Sequence, residues 1–432
     1  MSTLKVGVAG LGAMGGGMAR HLLKKEFHVT GYDVYPPSVD KLVEAGGVAA
    51  RTAAEAAENV DVLLVMVITP AQVSTVLFGD GTNRADAAAA RLPANAAVVI
   101  SSTVPPQFCH ELRQRLDDEV KRPDVYLLDC PVSGGTPRAA DGTLSIFGSG
   151  PADGLAKAQP VLAALSAVLY TIPGGIGSGS KAKMCHQVLP EAEIALANEV
   201  MALAARAGLN TQTVFDAVQA GEGASWINGN RIPHMLEGDK TVFSAVPNSQ
   251  KDSSIIVNHS RTVHFPVFLV ATAEQVYQAS IHAGWAKDDD STIWRLYLPD
   301  RAFDYIHQCT KRSDSDSDGS GKGDAITVRD IVDIFAGAHL ATAAEAMGFT
   351  EASGLDTTVM YDIISKAAGS NWQFVENVPR MKKPTWSLRD VPSAPEVGRK
   401  LRRALAKANA IGASLPVATA ALQLFQLHLG AF

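Results

Sequence analysis

One predicted helix face holds the polar side chains best suited to proton transfer. The stretch GSGSKAKMCHQ, residues 177–187, opens a long apolar segment. At helical spacing Lys183, His186 and Gln187 lie at positions i, i+3 and i+4, so their side chains share one face. A lysine on an apolar helix at a junction between domains can act as an acid or a base. Lys181 falls on another face, and we predict that it is a surface charge.

A second polar cluster follows a predicted strand, in the stretch DCPVSGGTP at residues 129–137. The strand ends in a proline and the turn Ser133-Gly134-Gly135, which exposes successive N–H groups and a hydroxyl. Such a concave turn can hold a carboxylate. A plain turn without a ligand is the alternative at this point.

The third feature is a glycine turn in VGVAGLGAMGGGMAR, residues 6–20. A buried strand breaks at a G-x-G-x-x-G pattern and resumes as a helix. The first glycine makes the tight turn, the second lets the main chain approach a diphosphate, and the third packs helix on strand. The helix N-terminus adds free N–H donors for phosphate. The predicted cofactor contacts here are Gly10, Leu11, Gly12, Ala13, Met14 and Gly15.

An acidic residue gives this turn a cofactor preference. The stretch FHVTGY, residues 27–32, is predicted to be the second strand, and Asp33 ends it. A carboxylate at this position accepts hydrogen bonds from ribose hydroxyls and repels a 2′-phosphate. We therefore predict NAD as cofactor, with NADP disfavoured. The alternative is a structural turn with a solvated aspartate.

The predicted strands and helices that position these groups alternate along the chain up to about residue 173. Short apolar runs at 60–67, 97–100 and 125–128 are typical of buried parallel strands. Alternation with helices predicts a doubly wound parallel sheet, whose ligands bind at the carboxyl ends of the strands. The residues after two of these strands, Met66, Val67, Gln72 and Thr103, are therefore predicted to line the cofactor site.

The rest of the chain is predicted to consist of long Ala- and Leu-rich helices, and it contains an internal repeat. Gly208-Leu209-Asn210-Thr211 returns as Gly354-Leu355-Asp356-Thr357, and Trp226 returns as Trp372 at the same offset. The fold class is therefore α/β plus all-α, a Rossmann-type domain followed by two homologous helical domains. The predicted bounds are 1–173 for the dinucleotide domain, 174–308 for the first helical domain, 309–324 for a flexible linker and 325–432 for the second helical domain.

The second copy has lost the polar helix face. At the shared register Arg329 replaces Lys183, and Val332 and Asp333 stand for the two following polar residues. Arginine stays charged near neutral pH and cannot relay a proton. We predict that this copy is structural and packs on the first copy within one chain. The assembly is then a monomer with an internal pseudo-dimer, or a homodimer.

Composition limits the other function classes. The net charge of −6 and a pI near 6.0 argue against nucleic-acid binding. The four cysteines lack Cys-x-x-Cys spacing, so neither a disulfide framework nor a metal site is expected. The chain enters its first strand at once and has no apolar run of membrane-spanning length. We expect a cytoplasmic protein with no membrane partner.

Four motifs together resemble one family. They are GLGAMG near the start, SSTVPP after the fourth strand, DCPVSGG, and GSGSKAKMCHQ at the start of the long helix. The chain resembles the β-hydroxyacid dehydrogenases, the group that includes 3-hydroxyisobutyrate dehydrogenase, and most closely its L-threonate dehydrogenase branch. The resemblance covers residues 4 to about 297, and extends more loosely over the second helical domain.

The resemblance implies roles for the polar residues. Lys183 matches the catalytic lysine of the family, and Ser133, Gly134 and Gly135 match the loop that holds the substrate carboxylate. Gln72, Thr103 and Lys251 match positions that contact the cofactor.

One pair departs from most of the family. His186 and Gln187 stand where most members have two asparagines, whereas the threonate-like branch resembles this chain. Both are assigned to substrate binding. Their longer donors favour a more hydroxylated acid than 3-hydroxyisobutyrate.

These features predict an NAD-dependent oxidation of a small hydroxy acid. The substrate is an L-threonate-like sugar acid or a 3-hydroxyisobutyrate-like acid, and lysine is the acid/base group. One alternative is an NAD(P)H-dependent reductase of a semialdehyde, a keto acid or an imine. The alternative of another class is a non-catalytic scaffold that retains the dinucleotide fold.

Overall fold

The chain forms two compact units, residues 1–184 and 185–432. The computed structural model describes residues 4–81, 84–313 and 325–430. One long helix, α8 (Ser178–Arg206), begins in the first unit and ends in the second.

Strands and helices alternate through the first unit. In chain order they are β1 (Lys5–Ala9), α1 (Ala13–Lys24), β2 (His28–Tyr32), α2 (Pro36–Glu44), β3 (Val48–Ala49), α3 (Ala53–Ala57), β4 (Val62–Val65), α4 (Pro70–Phe78), β5 (Ala97–Ile100), α5 (Pro106–Asp118), β6 (Tyr126–Asp129), β7 (Val132–Ser133), α6 (Gly135–Asp141), β8 (Leu144–Gly148), α7 (Ala152–Leu165) and β9 (Ser166–Thr171).

The main sheet of the first unit is parallel, with strand order β3-β2-β1-β4-β5-β6. Its strands read as continuous apolar runs because both faces are covered. Along β4, Val62 and Leu64 join the core on one face, while Leu63 and Val65 join the core on the other. The predicted doubly wound sheet is confirmed.

A small second sheet was not anticipated from the sequence. It has the order β7-β8-β9, with β7 antiparallel to β8 and β8 parallel to β9. Its first strand has only two residues and contains Ser133, too short a run to show periodicity. This sheet is where the predicted carboxylate-binding turn begins.

The second unit is helical over most of its described residues. After α8, its α-helices are α9 (Thr211–Gln219), α10 (Trp226–Glu237), α11 (Val246–Thr262), α12 (Phe268–His282), α13 (Tyr305–Gln308), α14 (Val328–Ala352), α15 (Thr357–Lys366), α16 (Trp372–Asn377), α17 (Ala394–Ala410) and α18 (Pro416–Leu429). Helices α8 and α14 are apolar around most of their circumference, and their residues in this unit are mostly buried.

The helices after residue 325 repeat those before residue 308. Helix α15 matches α9 and α16 matches α10 at the offset seen in the sequence, and α17 and α18 follow at a slightly larger offset. The predicted duplication is confirmed.

The two copies exchange equivalent hydrogen bonds across their interface. The Trp226 amide donates to the Ser370 carbonyl and the Trp372 amide donates to the Ala224 carbonyl, both at 2.9 Å. This reciprocity is the signature of a pseudo-twofold axis. The second copy therefore packs on the first within one chain.

Two buried glutamates, one in each copy, also accept hydrogen bonds from the start of a helix in the other copy. Glu199 of α8 accepts from the amides of Val417 and Ala418 at 3.1 and 2.8 Å, at the start of α18. Glu345 of α14 accepts from the amides of Leu269 and Val270 at 3.0 and 3.3 Å, at the start of α12. Each copy thus satisfies helix N-terminal donors of the other.

The predicted linker, residues 309–324, lies mostly outside the described residues. Its described start is held by packing. Cys309–Lys311 forms a 3-10 turn, and the guanidinium of Arg312 donates to the Ala205 carbonyl at 2.8 Å. Of the described helices, none is both long enough and apolar enough to cross a membrane.

Candidate active site

The glycine turn between β1 and α1 has the geometry that its pattern predicts. Gly10 has φ +96°, and a Cβ there would lie 2.2 Å from the Met66 carbonyl oxygen. A Cβ at Gly15 would lie 2.0 Å from the Gly10 carbonyl oxygen. A Cβ at Gly12 would meet no protein atom within 4 Å. Gly10 and Gly15 are therefore required by packing, while Gly12 leaves open space at the start of α1, where a diphosphate fits.

Asp33 holds this turn in place. One carboxylate oxygen accepts from the Leu11 amide at 2.6 Å and the other accepts from the Tyr35 amide at 2.8 Å. Each oxygen keeps a second lone pair for a ribose hydroxyl. The residue predicted to contact the ribose therefore also sets the path of the loop, a role that the motif did not reveal.

A cavity of about 450 Å³ lies beside Asp33 at the carboxyl ends of β1, β2 and β4. Three of its described lining residues are charged, and all are aspartates: Asp33, Asp80 and Asp86. Its lining includes six of the predicted cofactor residues: Gly10, Gly12, Asp33, Met66, Val67 and Gln72. An acidic cavity fits free ribose hydroxyls better than a 2′-phosphate.

The other predicted cofactor residues of this unit are not among the lining residues of that cavity. Leu11, Ala13, Met14 and Gly15 form the turn and the first residues of α1, and Thr103 is half-buried after β5. Gln72 closes a capping box with Thr69, in which its side-chain oxygen accepts from the amides of Ile68 and Thr69. Gln72 therefore fixes the start of α4 as well as lining the cavity.

The Ser133-Gly134-Gly135 turn joins β7 to α6. Ser133 is buried, and both glycines have positive φ, +138° and +72°. A Cβ at Gly134 would lie 2.6 Å from the Arg138 side chain, so glycine lets that side chain cover the turn. A Cβ at Gly135 would meet only Pro137, at 3.9 Å. The backbone of the turn is therefore open at Gly135, as an anion-holding turn requires.

A buried carboxylate that the sequence did not single out anchors the start of α8. Asp129, at the end of β6, accepts from both the amide and the hydroxyl of Ser180 at 2.6 Å. The hydroxyl of Ser149 accepts from the Gly179 amide at 2.8 Å. Burial raises the pKa of Asp129 to about 6, although the Ser180 hydrogen bonds act in the opposite direction. This cluster fixes the helix turn that precedes Lys183.

Lys183 lies one turn into α8 and is 5% exposed. Lys181, predicted to be a surface charge, is half-buried. The lysine predicted to act as base is therefore the one withdrawn from bulk water, on a helix whose first turn is anchored.

In the second unit, His186 and Gln187 belong to one hydrogen-bond network. His186 Nε2 accepts from the Gly369 amide at 3.1 Å, and His186 Nδ1 lies 3.1 Å from Gln187 Oε1. Gln187 Nε2 donates to Glu191 Oε1 and to Asp252 Oδ2, both at 3.0 Å. The NH₂ group of Gln187, which the sequence assigned to substrate hydroxyls, thus donates to two protein carboxylates, and both ring nitrogens of His186 have protein partners.

The predicted cofactor contact of this unit joins the same network. Lys251 forms an ion pair with Asp252, with Nζ 3.1 Å from Oδ1. Asp252 therefore links the residue predicted to contact the cofactor to Gln187, which is predicted to contact substrate.

The corresponding positions of the second copy pair with each other instead. Arg329 donates to Asp333 at 2.9 Å, and Asp333 also accepts from Arg403 at 3.3 Å. The two arginines are exposed and pair with a buried carboxylate. Among the described residues, no group of three or more His, Cys, Asp or Glu side chains is arranged to hold a metal ion.

The strand order, the glycine turn and the carboxylate after β2 define a dinucleotide-binding dehydrogenase fold. The family profile described as the NAD binding domain of 6-phosphogluconate dehydrogenase matches residues 5–174. The profile described as NAD-binding of NADP-dependent 3-hydroxyisobutyrate dehydrogenase matches twice, over residues 177–297 and 321–431. The chain belongs to the β-hydroxyacid dehydrogenase family and is an NAD-dependent hydroxyacid dehydrogenase.

Individual relatives agree with this assignment. L-threonate dehydrogenase of Cupriavidus necator is 38% identical over 301 residues, which cover 69% of this chain and 98% of that protein. The crystal structure of 3-hydroxyisobutyrate dehydrogenase from Salmonella typhimurium has a TM-score of 0.63 and 35% identity, and the match covers 68% of this chain and all of that one. The 6-phosphogluconate dehydrogenase of Plasmodium falciparum shares the fold over 99% of this chain and 93% of its own, with a TM-score of 0.68 and 14% identity.

Proposed function

We propose that this chain oxidises a small hydroxy acid of the L-threonate type, with NAD as hydride acceptor and Lys183 as base. The observation that carries the proposal is the burial of Lys183 on a helix whose first turn is anchored by Asp129. NAD supplies the hydride acceptor when it is bound. The chain's own groups must then hold the acid, remove the hydroxyl proton and keep water away from that proton.

Each of these tasks has a proposed residue. The turn from Ser133 to Gly135 holds the substrate carboxylate with its hydroxyl and main-chain N–H groups. The amine of Lys183 takes the proton of the hydroxyl that is oxidised. His186 and Gln187 shape the part of the site that receives the further hydroxyls. The acidic cavity beside Asp33 supports NAD rather than NADP.

The relatives support the choice of acid. L-threonate dehydrogenase of Cupriavidus necator and the Salmonella typhimurium 3-hydroxyisobutyrate dehydrogenase are named for the two candidate acids. The His-Gln pair favours the more hydroxylated of them, because Gln187 has a longer amide than the asparagine found in most of the family, and the buried His186 bonds to that amide.

A substrate panel with two lysine variants tests the proposal. NADH formation is measured with C4 sugar acids, including L-threonate, and with β-hydroxy acids. We expect Lys183→Ala to lower kcat about 1,000-fold and leave the Kd for NAD nearly unchanged, since general-base catalysis contributes on this scale. Lys181→Ala is the matched control and should retain near wild-type turnover. Wild-type rates in Lys183→Ala would reject the lysine role.

A further inference from the structure

The second helical copy reaches the proposed substrate residues through one main-chain amide. Gly369 lies in the loop between α15 and α16, and its N–H donates to His186 Nε2 at 3.1 Å. His186 is fully buried. A backbone N–H can only donate, so Nε2 must offer a lone pair.

This single contact determines the tautomer of His186. With its lone pair on Nε2, a neutral imidazole carries its proton on Nδ1. Nδ1 then donates to Gln187 Oε1, which lies 3.1 Å away. The amide oxygen of Gln187 must therefore face His186, and its NH₂ group must face the opposite side.

The partners of the Gln187 NH₂ group agree with that orientation. The NH₂ group of Gln187 donates to two carboxylates, Glu191 Oε1 and Asp252 Oδ2, both at 3.0 Å. Carboxylates only accept when ionised, so the reversed amide would place oxygen against oxygen. Every bond of the network has one donor and one acceptor only in this arrangement.

Pseudo-symmetry supplies an internal comparison. Gly223 in the first copy occupies the loop position of Gly369, and Val332 in the second copy occupies the position of His186. A Cβ at Gly369 would lie 3.3 Å from the His186 carbonyl oxygen, and a Cβ at Gly223 would lie 3.4 Å from the Val332 carbonyl oxygen. The same loop approaches the same helix position twice, but only one approach meets a side chain that can accept its N–H.

We propose that the second helical copy is a working part of the substrate site, because the Gly369 amide holds His186 in its Nδ1–H tautomer and thereby orients Gln187. Gly369 and His186 are positioning residues, since they fix which side of the Gln187 amide carries its oxygen and which side carries its NH₂ group. The proposal rests on the assignment of this pair to the substrate site. A degenerate copy that had become scaffold alone would leave the specificity of the site unaffected.

Substitution of the two equivalent glycines tests the proposal. A methyl group at Gly369 would lie 3.3 Å from the His186 carbonyl oxygen and 3.4 Å from His186 Nε2 and Cδ2, so the loop must move away from the helix by a few tenths of an ångström and lengthen the N–H···Nε2 bond. We expect Gly369→Ala to raise the KM for L-threonate about tenfold, with kcat within threefold of wild type and an unchanged KM for NAD. In Gly223→Ala the new methyl group would lie 2.9 Å from the Phe335 Cβ and 3.4 Å from the Val332 carbonyl oxygen, so this variant should lower Tm without raising the KM for L-threonate. Equal KM effects in the two variants would overturn the proposal.

A spectroscopic measurement keeps the test independent of turnover. Long-range ¹H–¹⁵N correlation of histidine-labelled full-length protein reports the protonated ring nitrogen, and His186→Gln identifies the signal. We expect the Nδ1–H tautomer in wild type and a changed signal in Gly369→Ala but not in Gly223→Ala. An Nε2–H tautomer in wild type would contradict the proposal even if Gly369→Ala failed to fold. Absence of turnover with every acid of the panel would instead reject the proposed function, while this readout still decides the tautomer.

Discussion

At the scale of single residues, the polar groups of the first unit serve two purposes at once. Asp33 orders the glycine turn through the amides of Leu11 and Tyr35, and its remaining lone pairs are those that a ribose would use. Gln72 lines the same cavity and caps α4. We therefore expect a substitution at either residue to change local backbone order together with cofactor binding.

Asp33 gives a cofactor prediction at this scale. Asp33→Asn keeps an oxygen for one of the two amides but removes the negative charge. We expect the KM for NAD to rise about tenfold, equivalent to ~1.4 kcal/mol, and the preference for NAD over NADP to narrow. The measurement is kcat/KM with each cofactor. Asp80→Asn, on the same cavity but away from the turn, is the control and should change the KM for NAD by less. An unchanged cofactor preference in Asp33→Asn would contradict the charge argument.

At the scale of elements, the helix that carries Lys183 is anchored by hydrogen bonds at its start. Ser180 bonds to Asp129 through both its amide and its hydroxyl, and Gly179 bonds to Ser149. The end of β6, the residue after β8 and the start of α8 thus meet at the buried carboxylate of Asp129. The anchor sets where the first turn of α8 lies, and Lys183 follows in the next turn.

Removal of one hydroxyl tests this anchor. Ser180→Ala deletes the 2.6 Å bond to Asp129 and leaves the amide bond in place. Hydrogen bonds to charged groups contribute roughly 1.5–3 kcal/mol, so we expect a lower free energy of unfolding and a lower kcat. Denaturant unfolding and steady-state kinetics measure the two effects. Ser178→Ala, in the same turn, is the control, and equal losses in both variants would argue against a specific anchor.

At the scale of the whole molecule, the duplicated copies are joined by groups that titrate. Burial raises the pKa of Glu199 to about 8 and that of Glu345 to about 7, against the helix amides that lower both. Glu193, also buried, has its pKa raised to about 8. In each case the folded chain favours the protonated acid more strongly than the unfolded chain does.

The stability of the chain should therefore depend on pH. When folding raises the pKa of a carboxyl group, the protonated group contributes fully to the free energy of unfolding below its pKa in the unfolded chain, near 4.5. That contribution is lost as the pH rises through its pKa in the folded chain. We expect the free energy of unfolding to fall between pH 5 and pH 9, by up to about 1.4 kcal/mol per pH unit for each titrating group. The double variant Glu199→Gln, Glu345→Gln should flatten this fall, as measured by urea unfolding at several pH values.

An exposed glutamate gives the matched control for that experiment. Glu396 pairs with Arg399 on the surface, and that hydrogen bond lowers its pKa. Glu396→Gln should therefore leave the fall between pH 5 and pH 9 unchanged. A double variant whose stability falls as steeply as that of wild type would show that the two buried glutamates do not titrate in this range.

The sequence by itself determined the features that depend on neighbours along the chain. The glycine turn follows from its motif, the parallel strands from short continuous apolar runs, and the duplicated helices from matching residues at one constant offset, all of which are local patterns in the chain. The small sheet was not predicted from such patterns, because its first strand, β7, has only two residues.

Only the tertiary structure decided which distant groups meet. Ser180 bonds to Asp129 across a separation of 51 residues, and Gly369 bonds to His186 across 183. The amide of a glycine is the same in every loop, so no residue pattern marks Gly369 as the partner of a histidine. Packing of the second copy on the first brings that N–H to the ring, and the physical consequence is a fixed tautomer beside the proposed substrate residues.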